Sequence, residues 1–97
     1  MSAYAIFIRE RTRSPGELQT YAEMVTPLLG IANATILAAY GAQDVLEGPL
    51  SEGVVIVRFP TMEAGRIFYQ SSEYQAAVRH RFLGADYRAI LVQGIDG

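Results

Sequence analysis

Hydrophobic and polar positions divide the chain into four apolar runs and two stretches of helical period. Residues 3–9, AYAIFIR, mix aromatic and β-branched side chains and predict a first strand. Ser14-Pro15-Gly16-Glu17 then opens a helix. The serine can cap free N–H groups, proline at the first helical position loses no needed donor, and Glu17 sits where a capping box closes. Leu18, Tyr21, Ala22, Val25, Leu28 and Leu29 follow as one apolar stripe. Pro27 is expected to kink or end that helix, and Gly30 to stop it. Residues 35–46, TILAAYGAQDVL, predict a second strand bent or bulged at Gly41. Glu47-Gly48-Pro49 marks a turn, and residues 53–59, GVVIVRF, predict a third strand. Thr61 caps a second helix, which Ser71-Ser72 interrupts. Its continuation from Glu73 to about Phe82 carries Tyr74, Ala77, Val78 and Arg81 on one side, and Gly84 ends it. Residues 86–93, DYRAILVQ, predict the last strand.

The order β-α-β-β-α-β predicts an α+β domain spanning residues 1–97: a ferredoxin-like split β-α-β fold with a four-stranded antiparallel sheet and its helices on one face. Such a sheet should alternate apolar and polar residues, and these strands do not. Tyr4, Ile6 and Ile8 oppose Ala5 and Phe7, while Ile90 and Val92 oppose Ala89 and Leu91. Both faces are apolar, and the helices cover one. The other would expose roughly 400 Å², about the largest apolar patch a monomer shows. A homodimer joined through the sheet face answers this most simply. A helix misread in the pattern would be the alternative cover.

Composition narrows the function classes. No cysteine is present, which rules out disulfides and a thiolate nucleophile. Net charge is −2, and the eight basic residues are all scattered arginines, unlike the concentrated positive face of a nucleic-acid binder. No apolar run approaches the roughly 18 residues that span a bilayer, and MSAYAIFIRERTRS lacks the form of a secretory signal. A cytoplasmic location, with no membrane and no nucleic-acid partner, is the expectation. No metal-ligand cluster, glycine-rich phosphate loop or nucleophile elbow is present, and no cofactor is expected.

Residues 54–94 carry a resemblance. Phe59-Pro60 ends a strand, Phe68-Tyr69 ends a helix, Ser72 and Glu73-Tyr74-Gln75 come next, and Arg81 and a final strand close the pattern. This is similar to domain-of-unknown-function family 1330, and Tyr40-Gly41 to Leu46-Glu47-Gly48 also match. The resemblance implies the dimeric α/β-barrel fold. It implies no reaction. Proteins sharing that barrel include cofactor-free monooxygenases, lactone isomerases and haem-handling proteins, an analogy of fold alone.

The candidate ligand-pocket residues are Tyr40, Tyr69, Tyr74, His80 and Arg81, with the catalytic residues unknown. Arg81, on the inner face of its helix, can hold a ligand carboxylate or enolate, or bond backbone carbonyls or an acid such as Asp86. His80, the only histidine, falls about 120° from the centre of the apolar face, a boundary position. A haem reading is weakened because tryptophan is absent and the only asparagine, Asn33, lies in a predicted loop. The tyrosines can orient a phenolic or carbonyl ligand or serve as amphipathic core. Arg9, Arg11 and Arg13 share one side if the strand continues, either at a pocket mouth or at a solvated strand end. Three functions stay open: a cofactor-independent enzyme acting on a small aromatic or carbonyl compound, a non-catalytic dimer binding a small aromatic or carboxylate ligand, and an interaction module.

Overall fold

A computed structural model describes residues 1–96. Its elements are β1 (Ala3–Thr12), α1 (Pro15–Ile31), β2 (Thr35–Ala39), β3 (Gly53–Phe59), α2 (Met62–Gln70), α3 (Ser72–Gly84) and β4 (Ala85–Gln93). The strands form one antiparallel sheet in the order β2-β3-β1-β4. This is the α+β, ferredoxin-like arrangement read from the sequence. Among the described residues, no helix is long and apolar enough to cross a membrane.

The break at Ser71-Ser72 has a clear cause. Ser71 closes α2 and caps α3, its hydroxyl accepting from Tyr74 N–H at 3.2 Å and donating to Phe68 C=O at 2.8 Å. One serine thus satisfies orphan groups of both helix ends. Thr61 caps α2 by accepting from Ala64 N–H at 3.0 Å. The expected capping box of α1 does not form: Ser14 makes no side-chain cap, and the Glu17 carboxylate turns to His80. Pro27 does not end α1, which runs on to Ile31; the carbonyl left without its N–H belongs to the exposed residue Glu23.

Two readings of the strands are corrected. β2 stops at Ala39 rather than reaching Leu46, because Tyr40 turns the backbone into the left-handed region at φ 57°. That conformation is costly for a residue with a side chain unless its surroundings fix it. Arg9, Arg11 and Arg13 do not share one side either. The β1–β4 register shifts between Arg9 and Arg11, and the extra residue re-aims the strand end from Arg11 onwards.

Cross-strand partners share a face, so the register sorts the sheet. On the open face Ala38, Ile56, Ile6 and Ile90 form one rung, flanked by Arg58-Tyr4-Val92 and Val54-Ile8-Arg88. Ile90 and Val92 each remain 46% exposed. The helix side holds the core: Val57, Phe59, Phe68, Tyr74 and Val78, together with four buried alanines. Phe68 packs edge-on against Phe59 at 5.3 Å and lies tilted 4.9 Å from Tyr74. α1 packs chiefly on α3 and has no fully buried residue.

Candidate functional site

Small side chains leave a space between sheet and helices. Ala5 and Ala89 on the sheet and Ala22 on α1 contribute to the wall of a cavity of about 530 Å³. Phe7, Phe59 and Phe68 give it an aromatic surface, and Arg9, Tyr40, Tyr87, Arg81, Tyr21 and Tyr74 touch one another at one end.

Arg81 is the centre of that end. It is 3% exposed, and its Nε has no hydrogen-bond partner. Its guanidinium lies 4.7 Å from the Tyr87 ring centre, 5.5 Å from Phe7 and 5.7 Å from Tyr21. Among the described residues no carboxylate pairs with it. Asp86, offered with backbone carbonyls as one structural partner for Arg81, is bound instead by Arg13, whose guanidinium also donates to Phe82 and Ala85 carbonyls. The β1 bulge makes this possible by turning Arg13 towards the end of α3.

Two tyrosine pairs flank Arg81. The Tyr21 and Tyr74 hydroxyls are 2.9 Å apart, with their rings edge to face. The Tyr40 hydroxyl bonds that of Tyr87. Burial pushes the Tyr21 hydroxyl far above its ordinary range, and the proximity of Tyr74 adds to this. Tyr74 is also raised by burial, with Tyr21 and Arg81 drawing it partly back. Tyr87 is raised by burial and by its bond to Tyr40. All three therefore stand protonated at neutral pH.

Tyr40 is set by its surroundings. Its ring covers Gly53, where a β-carbon would lie 2.3 Å from Tyr40 Cδ1, and Arg9 lies 4.6 Å above the ring centre. Arg9 is matched in turn by Glu52 at 3.1 Å. Tyr69 joins the cavity wall half exposed, tilted 5.2 Å from Tyr74.

The structure thus brings Tyr40, Tyr69, Tyr74 and Arg81 to one cavity and leaves His80 out of its wall. His80 Nδ1 lies 2.7 Å from Glu17 Oε2 and ties α3 to the first turn of α1. Tyr21, Arg9 and Tyr87 complete the polar end; the sequence had offered Arg9 only for a pocket mouth or a solvated strand end, and the five candidates included none of the three. Tyr21 was legible only as one member of the α1 stripe. Among the described residues, no cluster of three or more acidic or histidine side chains could hold a metal ion.

The model of a domain of unknown function, DUF1330, matches residues 2–95. The chain belongs to the DUF1330 family. Several solved structures share the fold of this DUF1330 chain. A protein of unknown function from Rhodopseudomonas palustris is 18% identical with a TM-score of 0.75, over 99% of this chain and 84% of that one. A protein from Thermobifida fusca, described as dimeric, ferredoxin-like and of unknown function, is 16% identical with a TM-score of 0.63, over 97% and 92%. Another from Bacteroides fragilis, also described as dimeric with a ferredoxin-like fold, is 10% identical with a TM-score of 0.63, over 96% of each chain. No curated protein matches this DUF1330 chain.

Proposed function

We propose that this DUF1330 chain is a homodimer, joined sheet to sheet, that binds a small aromatic or carbonyl compound bearing negative charge in the cavity of each protomer. One observation carries the reading: Arg81 is buried in the cavity wall with no carboxylate partner among the described residues. An uncompensated buried cation is costly, and a bound anion relieves the cost. The cavity is large enough for a ligand of one or two rings, and its walls are mostly apolar, as ligand sites usually are. The Ile56-Ile6-Ile90 rung and its neighbours support the dimer, as does the description of two similar structures as dimeric.

Catalysis without a cofactor is the second reading, favoured by the protonated tyrosines. Such hydroxyls donate where negative charge develops in a reacting carbonyl compound. Among the described residues no aspartate, glutamate or histidine lines the cavity to act as a base, so binding ranks first.

The test is a thermal-shift screen of the full chain with small aromatic acids, phenols and quinones, with Arg81→Met in parallel. A ligand at 100 times its dissociation constant adds about 2.7 kcal/mol of stability. Hits that vanish in folded Arg81→Met support the site, and turnover of a hit decides for the enzyme. A screen without hits on a stable dimer counts against the ligand reading.

A further inference from the structure

The donors in the cavity are not balanced by acids. Three arginines, Arg9, Arg66 and Arg81, reach its wall, and among the described residues no carboxylate does. Arg9 has Glu52 beside it. Arg81 has the rings of Phe7, Tyr21 and Tyr87 around it, with its Nε unused.

Each flanking tyrosine pair adds one more donor. Two hydroxyls sharing a hydrogen bond hold two protons; one lies between them and the other is free to donate. Tyr21 with Tyr74, and Tyr40 with Tyr87, each keep such a proton. Burial holds Tyr21, Tyr74 and Tyr87 neutral, so they supply protons in hydrogen bonds and do not remove them. An oxygen placed against Arg81 would meet a positive charge and hydroxyl donors on two sides.

The rest of the wall decides what kind of oxygen. A carboxylate concentrates its charge at two oxygens and loses most of its hydration in an apolar cavity. A phenolate or enolate spreads its charge into a flat carbon frame, which can lie against Phe7, Phe59 and Phe68. We propose that the cavity takes its ligand as a delocalised oxyanion, a phenolate or an enolate, with the charged oxygen against Arg81 and the tyrosine hydroxyls and the carbon frame on the aromatic wall. This rests on the cavity being a ligand site. On binding, the ligand O–H bond breaks with its electron pair left on oxygen, and the proton passes to water. The bound compound is therefore a stronger acid than the free one.

The probe is 4-nitrophenol, whose phenolate absorbs in the visible and whose phenol does not. It is titrated with acid in the presence of a saturating concentration of the 97-residue chain. The apparent ionisation midpoint is expected to fall by at least about one pH unit, a tenfold preference for the anion worth about 1.4 kcal/mol. Arg81→Met should abolish the shift, while still binding the methyl ether 4-nitroanisole. Tyr87→Phe, which keeps the ring and the charge, should remove part of it. A bound probe with its midpoint unmoved or raised overturns the oxyanion assignment and leaves the cavity reading standing. Binding of 4-nitrobenzoate at least about tenfold more tightly than the phenolate overturns it in favour of a carboxylate. No binding of any of the three compounds to the folded protein removes the cavity reading with it.

Discussion

Replacing Arg81 with methionine tests whether the guanidinium serves the fold or a ligand. An ion taken out of water costs several kcal/mol in a real protein interior even after relaxation. Here no carboxylate among the described residues returns that energy, and four aromatic rings at 4.7 to 5.7 Å return part of it. Contacts of this kind contribute about 0.5–2 kcal/mol each, with Tyr87 the nearest. Methionine has similar reach, no charge and a sulfur that packs well on aromatic rings. At the lower figure the four contacts return about 2 kcal/mol, and against a cost of about 3–4 kcal/mol the balance favours the variant by about 1–2 kcal/mol in the ligand-free protein. Each kcal/mol moves Tm by about 4–8 °C in a domain this small, so the variant should melt visibly higher. The assay is thermal and urea unfolding at one fixed protein concentration, since dimer stability depends on concentration. A variant that unfolds about 2 kcal/mol more easily, with its dimer intact, would show that Arg81 holds the fold together and would refute the argument. A site that sacrifices stability for function gains stability when the functional group is removed.

Ile6→Glu puts a charge in the middle of the open rung and, in the proposed dimer, faces it with its copy; light scattering at micromolar concentration should report dimer for the parent chain and monomer for the variant. Gly53→Ala forces the Tyr40 ring aside by its 2.3 Å approach, should cost about 1–3 kcal/mol in urea unfolding, and should lower the response to any ligand found in the thermal-shift screen. Tyr21, Tyr74 and Tyr87 ionise later in the folded chain than in the unfolded one. Their contribution is complete below the unfolded value, near 10, and is lost as pH rises towards the folded values. Urea unfolding between about pH 9 and 11 should show stability falling above 10 by up to about 1.4 kcal/mol per pH unit for each tyrosine, and Tyr21→Phe should flatten that slope.

The fold was legible because its signals were redundant. Strand patterns, the Ser71-Ser72 break and the two apolar sheet faces agree with one another. Four of the five candidate residues meet at the cavity because Arg81 and Tyr74 share a helix face and Tyr69 sits just before the break. Long-range pairing was not legible. Arg-Glu-Arg-Thr-Arg alternates smoothly in sequence, so the bulge that separates Arg9 from Arg13 leaves no mark until β4 is laid beside β1. Asp86 could be assigned to Arg81 or Arg13 only once that bulge was known. The end of β2 depended on a tyrosine in a conformation usually left to glycine, and its apolar neighbours concealed the turn. His80 keeps the boundary position its helix phase implies, but its partner there, Glu17, lies 63 positions away and was not legible.

α1 roofs the cavity and yet buries none of its residues fully, leaning instead on α3. The amide hydrogens of such an element exchange with solvent through openings that cost less than unfolding the domain. On the ligand reading, the roof would then also be the door: a compound would enter when α1 lifts and, once seated against Arg81, would resist the next lifting. Deuterium uptake along Pro15–Ile31 should slow on ligand binding far more than uptake along β1 or β3, whose ladder hydrogen bonds should already protect them.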